Sequence, residues 1–326
     1  MQTTQKPENF STKRIFLQTY EPLKFTFTQN RHDFIVQEQP LSKFSGNGNF
    51  FILKIKKEYT STWELLSIIS QTLDIPENKI GYAGLKDKNA TTTQYISIPL
   101  NRSRDYKLLN SKNIKVLETF IHNQMIKIGD LVGNRFKITI KDINPVDLPT
   151  IYQTLSQVQK HGLPNYFGYQ RFGRDNNFQK SKDIVYGEEI IKDKKLNTFM
   201  KIAYQSYFFN AWLSKRVQLS LEKNEKKLSP LNGDIFKDRE KKIITGLMPG
   251  RKVLRSKDEA GKLESLYDDM FIHDKGFRRD AWITPTNIQN KYNKENNSMV
   301  LEFTLPKSSY ATVFIENIAN KNYRYQ

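Results

Sequence analysis

The chain contains no cysteine, which removes disulfides, thiolate zinc sites and a cysteine nucleophile from consideration. Its four histidines, His32, His122, His161 and His273, are scattered without metal-ligand spacing. No apolar run approaches the roughly 18 residues needed to cross a bilayer, and the N-terminal MQTTQKPENF lacks the apolar stretch of a signal peptide. These absences lead to the expectation of a cytoplasmic protein that works without membrane, metal or cofactor.

What the chain does hold is positive charge. Over 326 residues, 52 Lys plus Arg stand against 34 Asp plus Glu, a net charge of +18, with a pI near 9.7. Such a surplus favours a phosphate-bearing partner, nucleic acid ahead of an acidic membrane surface. Part of it follows a general richness in Asn, Lys and Ile, which discounts the argument somewhat. The length allows one large domain or two of ordinary size, each with a real core.

The most distinctive stretch is 81–94, GYAGLKDKNATTTQ. It places a single acid, Asp87, between Lys86 and Lys88, after two glycines and before three threonines. One reading is a turn or helix N-cap aspartate satisfied by nearby backbone N–H groups. The other is a nucleophile or general base kept ionised by neighbouring cations. Adjacent residues point apart, so at most one of the two lysines faces the acid.

Around this stretch the periodicity predicts strands over 33–38 and 50–56, the latter alternating Phe51, Leu53 and Ile55 with Ile52, Lys54 and Lys56. Ser61 and Glu64 have capping-box spacing, opening a helix that would bury Trp63, Leu66, Ile69 and Leu73 before Pro76. A short strand is expected over 95–99. The stretch 134–141 alternates apolar Phe136, Ile138 and Ile140 with basic or polar Arg135, Lys137, Thr139 and Lys141. Residues 147–161 read as an amphipathic helix burying Ile151, Leu155 and Val158, ended by Gly162 and Pro164. The block PNYFGYQRFG at 164–173 suits either a packed hinge or a nucleic-acid cleft, with rings for stacking and Arg171 for phosphate. Helical 199–221, lysine-rich 222–227 and 237–242, a strand over 300–305 and a helix over 309–318 follow, without internal repeat. Strands near both ends and a helical, charged middle suggest an α+β core interrupted by an insertion.

Taken in order, these segments resemble the TruD family of tRNA pseudouridine synthases. The blocks are DFIVQE at 33–38, GYAGLKDKNATTTQ at 81–94, GNRF at 133–136, PNYFGYQRFG at 164–173, QSYFFN at 205–210, GD at 233–234, ITGLMPG at 244–250 and LPKSSYAT at 305–312. The resemblance covers nearly the whole chain. It implies an α+β fold: a pseudouridine synthase catalytic domain with a mixed or antiparallel sheet and flanking helices, plus an inserted α/β TRUD domain. The catalytic domain would be discontinuous, 1–161 with 291–326, and the insert would span 162–290.

The activity implied is that of an isomerase, an intramolecular transferase converting uridine 13 of tRNA to pseudouridine. Asp87 matches the catalytic aspartate. Phe136 matches the position where other pseudouridine synthases carry an active-site Tyr, Asn134 is its companion, and Phe34 is expected near the flipped base. Lys86 and Arg171 are the candidate RNA contacts. The partner implied is tRNA, with no cofactor, no metal and no obligate protein partner. Two positions depart from the family pattern. Thr28 stands six residues before Phe34, where a Lys thought to pair with the aspartate is frequent, and Ser308 stands where Gly is usual. Lys24 and Lys86 are the remaining candidates for that cation. Two other classes compete with this reading: a non-catalytic RNA-binding or RNA-folding protein on the same scaffold, and, with less support, an RNA-cleaving enzyme.

Overall fold

The alternation read over residues 33–57 builds the first strands of a large mixed sheet in the computed structural model, which describes residues 13–173, 178–238, 240 and 243–323. Contacts divide the chain into two discontinuous units: Lys24–Leu148 with Pro285–Ser308, and Met1–Leu23 with Pro149–Thr284 and Ser309–Gln326.

The first unit contains β1 (Thr26–Phe27), β2 (Phe34–Pro40), β3 (Phe50–Lys57), α1 (Thr62–Leu73), β4 (Gly81–Tyr82), β5 (Thr91–Pro99), β6 (Ile114–His122), β7 (Leu131–Lys141), β13 (Thr286–Asn293) and β14 (Ser298–Pro306). The sheet runs β13-β14-β7-β2-β5-β3-β6, with β1 on β7 and β4 on β5. The pairing is antiparallel except between β2 and β5, which run parallel. β5 starts four residues earlier than the alternation suggests. Thr91–Thr93 pair with Ile35–Gln37, and β-branched residues suit a strand between two neighbours.

Helix α1 forms where the capping box predicts it. Glu64 N donates to Ser61 Oγ at 3.1 Å, and Ser61 N donates to Glu64 Oε2 at 2.6 Å. Its apolar face differs by one residue from the expectation. Thr62, Leu65, Leu66, Ile69 and Leu73 are buried, whereas Trp63 is 38 % exposed. The helical period that puts Leu66, Ile69 and Leu73 against the sheet turns position 63 toward solvent. These residues pack on Leu53, Ile55, Ile96 and Ile98, and burying each such side chain stabilises the unit by roughly 1.5–3 kcal/mol.

The second unit contains α2 (Leu148–His161), β8 (Leu163–Pro164), α3 (Phe178–Tyr186), α4 (Lys194–Glu222), β9 (Phe236–Asp238), β10 (Ile243–Met248), α5 (Asp258–Ser265), β11 (Phe277–Asp280), β12 (Trp282–Ile283) and α6 (Ala311–Ala319). Its strands form a sheet ordered β11-β10-β9 and the pair β12-β8. The 29-residue α4 is buried without interruption from Ala203 to Ser214, so it is the unit's central element rather than a surface helix. Near its end, the buried guanidinium of Arg216 binds both oxygens of Asp234, at 2.7 and 2.9 Å. That contact fixes the Gly-Asp turn at 233–234. No helix among the described residues is long and apolar enough to cross a membrane.

Candidate active site

The site grows out of one face of the large sheet. Directly opposed residues on neighbouring strands share a face. One lateral row therefore runs Phe303, Phe136, Val36, Thr92, Lys57 and Ile114 across β14, β7, β2, β5, β3 and β6. The adjacent row opposes Leu305, Asn134 and Glu38, and Gln94 faces Ile55. The face that packs α1 with apolar side chains thus becomes polar, with buried Glu38, Lys57, Thr92 and Gln94. Three atoms here have neither a hydrogen bond nor an ion pair among the described residues: Thr92 Oγ1, Gln94 Nε2 and Asn134 Oδ1.

The loop between β4 and β5 returns to this face. Gly81 permits the start of that path: a Cβ there would lie 2.3 Å from both the Ile126 carbonyl oxygen and Ser97 Oγ. The first turn of α1 holds the loop, because Lys86 N donates to Thr62 Oγ1 at 2.9 Å and that hydroxyl donates to Gln94 Oε1 at 3.1 Å. Lys86 turns inward and its Nζ lies 2.6 Å from Glu38 Oε2, with both side chains buried. The other Glu38 oxygen accepts from Tyr95 N at 3.1 Å. Lys88 turns outward, 54 % exposed, to Glu64 Oε1 at 2.6 Å. Lys88 and the Ser61 backbone together hold the Glu64 carboxyl down to about 2.

Asp87 itself remains accessible to solvent, yet protein surrounds its carboxyl closely enough that desolvation dominates and pushes its pKa up. Lys57 and then Lys86 act in the opposite direction. The Lys57 ammonium is buried and donates to the Thr60 carbonyl at 2.5 Å and the Asp87 carbonyl at 3.4 Å. Burial lowers its pKa to about 8, against the raising effect of Asp87. Thr28 and Lys24 are both exposed, and neither contributes to the field at Asp87. The structure therefore corrects the sequence-based candidates for the acid's cation: Lys57 ranks first and Lys86 second, while Lys24 has no part.

Phe136 stacks on Phe303 at 5.5 Å between centroids, and Phe34 meets Phe136 edge-on at 6.1 Å. Phe34 is fully covered and Phe136 nearly so. The sheet thus brings Asp87, Lys86, Asn134, Phe136 and Phe34 into one unit, whereas Arg171 belongs to the other. There the Arg171 guanidinium lies over the rings of Phe167 and Phe199, and its Nε donates to the Tyr310 hydroxyl at 3.2 Å. Tyr166, Phe167 and Phe172 are core residues, so the rings of the 164–173 block serve packing. Asn210 clamps the Phe167 backbone at both N–H and carbonyl, each at 2.9 Å. Arg279 sits 3.8 Å from the Phe167 ring centroid, and burial brings its pKa down to about 10.

Two residues central to this geometry escaped the sequence reading, Lys57 and Glu38. Both carried a signal. Lys57 continues the inward register of Leu53 and Ile55, and Glu38 continues that of Phe34 and Val36. A charge placed where a core residue is due marks a buried ionic site.

This mixed sheet with flanking helices is the fold of a pseudouridine synthase. It matches the crystal structure of the putative tRNA pseudouridine synthase D (TruD) from Methanosarcina mazei, with a TM-score of 0.67, 22% identity, and coverage of 94% of this chain and 96% of that one. The description "tRNA pseudouridine synthase D (TruD)" also fits residues 12–201 as a family match. Curated relatives named tRNA pseudouridine synthase D include those of a Nitratiruptor species, 38% identical over 94% of this chain and 98% of the relative, and Wolinella succinogenes, 36% identical over 95% and 98%. The chain belongs to the tRNA pseudouridine synthase D family.

Proposed function

We propose that this protein isomerises uridine 13 of tRNA to pseudouridine, with Asp87 as the catalytic carboxylate. The observation that carries the reading is an accessible acid anchored above a buried polar row, with two lysines close enough to favour its ionised form. The reaction breaks the bond between uracil and ribose, turns the base within the site, and rejoins it through carbon 5. Carbon 5 then loses a proton and nitrogen 1 gains one, so atoms and charge balance without an oxidant or a cofactor.

Asp87 suits both tasks such a sequence needs. It can attack the anomeric carbon or remove a sugar proton while the bond breaks, and it can accept the carbon 5 proton afterwards. The ring of Phe136 cannot take that proton. Asn134, whose Oδ1 is unpartnered, is available to hydrogen-bond the base. Phe136, backed by Phe303 and Phe34, forms the aromatic floor. Flipping a base out of its stack costs a few kcal/mol, which contacts in such a pocket partly offset.

The surplus of 52 basic over 34 acidic residues suits tRNA binding in the cytoplasm, with Arg171 as a phosphate contact; Lys86, expected from the sequence to contact RNA, is instead buried against Glu38. The same reading assigns catalysis to a discontinuous domain, 1–161 with 291–326, and the segment 162–290 to an insertion. The test is to map pseudouridine in tRNA incubated with the wild-type protein and with Asp87→Asn. Pseudouridine at position 13 with the first protein alone is expected; its formation by Asp87→Asn would overturn the assignment.

A further inference from the structure

We propose that Lys57 is the positioning residue for Asp87: a buried ammonium that ties the acid's own peptide carbonyl to the end of β3 and supplies the positive charge its carboxylate works against. The inference rests on the reading of Asp87 as the catalytic acid and adds the residue that makes the acid usable.

The two lysines that act on Asp87 are unequally compensated. A lysine removed from water needs compensation, and Lys57 is 1 % exposed. Among the described residues its ammonium makes no salt bridge. Its hydrogen bonds go to two backbone carbonyls, those of Thr60 and Asp87. An ammonium has three donors, so one is left over. Lys86 is in the opposite situation, since its charge is met at 2.6 Å by the buried Glu38 carboxylate. A neutralised pair exerts a weaker field on a third group than an uncompensated cation does.

The other charges facing Lys57 fit this division. Glu64 at the start of α1 is paired with Lys88, and at its own strand end Glu58 is shared between Lys56 and Arg31. Asp87 and Lys86 face it from the loop. Asp87 is thus the acid left for Lys57. The bond to the Asp87 carbonyl fixes the backbone from which the carboxylate projects, so one side chain sets both the position and the charge environment of the acid. The hydroxyl of Thr92, opposite Lys57 on β5, is buried and unpartnered beside it.

The consequence is a pH signature that a merely structural lysine lacks. Burial leaves the Lys57 ammonium titrating at about 8, so activity should fall above that pH as the charge is lost. Removing the charge permanently should make Asp87 harder to ionise and move the acid limb upward. The experiment measures single-turnover pseudouridine formation on tRNA from pH 5 to 10 for the wild type, Lys57→Met and Lys57→Arg. Lys57→Met should shift the acid limb up by about one pH unit, lowering the rate about tenfold on that limb, with tRNA affinity within about threefold. Lys57→Arg should return the acid limb to its wild-type place and abolish the limb near pH 8, because a guanidinium stays charged.

An acid limb unmoved in Lys57→Met, whatever its rate, overturns the proposal. So does a wild-type alkaline limb in Lys57→Arg. If Lys57→Met does not fold, as judged by circular dichroism, the Lys57→Arg profile decides alone. Failure of the underlying reading looks different: the wild type would make no pseudouridine, or Asp87→Asn would still make it.

Discussion

The Lys86 ammonium lies 2.6 Å from the Glu38 carboxylate, with both side chains buried. The pair joins the loop between β4 and β5 to β2 and keeps the lysine beside Asp87 from serving Asp87 alone. Removing one partner strands the other. Glu38→Ala should destabilise the protein by about 3–5 kcal/mol, the cost of breaking a buried pair. Adding Lys86→Met to that variant should recover much of the loss. Urea denaturation of the two single variants and the double variant checks the coupling.

Asp87→Asn should abolish pseudouridine formation while tRNA affinity changes by no more than about tenfold, roughly 1.4 kcal/mol. The substitution keeps the shape and removes the charge. Filter binding alongside pseudouridine mapping separates chemistry from recognition.

The pH dependence follows from the sign of the Asp87 shift. Burial raises its folded-state pKa above the ordinary value of 3.8, so its carboxylate form fills at a higher pH than that of a fully hydrated aspartate. The acid limb of the rate profile should lie correspondingly high. Stability follows by linkage. The unfolded chain loses this proton first, so the fold is penalised as pH rises from 3.8 through the raised pKa, and the penalty is complete above it. Asp87→Asn should therefore melt at a higher temperature than the wild type at pH 7, and the difference should vanish near pH 3. Calorimetry at the two pH values tests both statements.

Gly133 opens the GNRF block, and a Cβ there would sit 2.0 Å from the Leu305 carbonyl oxygen. That oxygen belongs to the backbone of β14, paired with β7, and cannot swing away. Gly133→Ala should cost about 1–3 kcal/mol of stability, the range for overpacking. Because Asn134 is the next residue, the rate should drop as well. Thermal denaturation and single-turnover kinetics report the two effects separately.

The sequence alone determined much of this. Alternation and capping chemistry are local, so strands β2, β3 and β7, helix α2 and the Ser61–Glu64 box could be read directly, and the ordered motifs singled out Asp87, Asn134 and Phe136 as candidates. Trp63 departs from the expected apolar face of α1 because the turn of the helix, not the size of the ring, decides which side is buried. What only the tertiary structure decided is which charges meet. Lys57 and Glu38 lie 30 and 49 residues from Asp87 in the chain, and strand register and loop return bring them to its site. The fold then ranks the cations: Lys57 acts on the Asp87 carboxyl more strongly than the Lys86 beside it in sequence, which Glu38 already holds. A sequence gives charges their order, but the field at a carboxylate depends on distance and on the water removed, and both are properties of the folded chain.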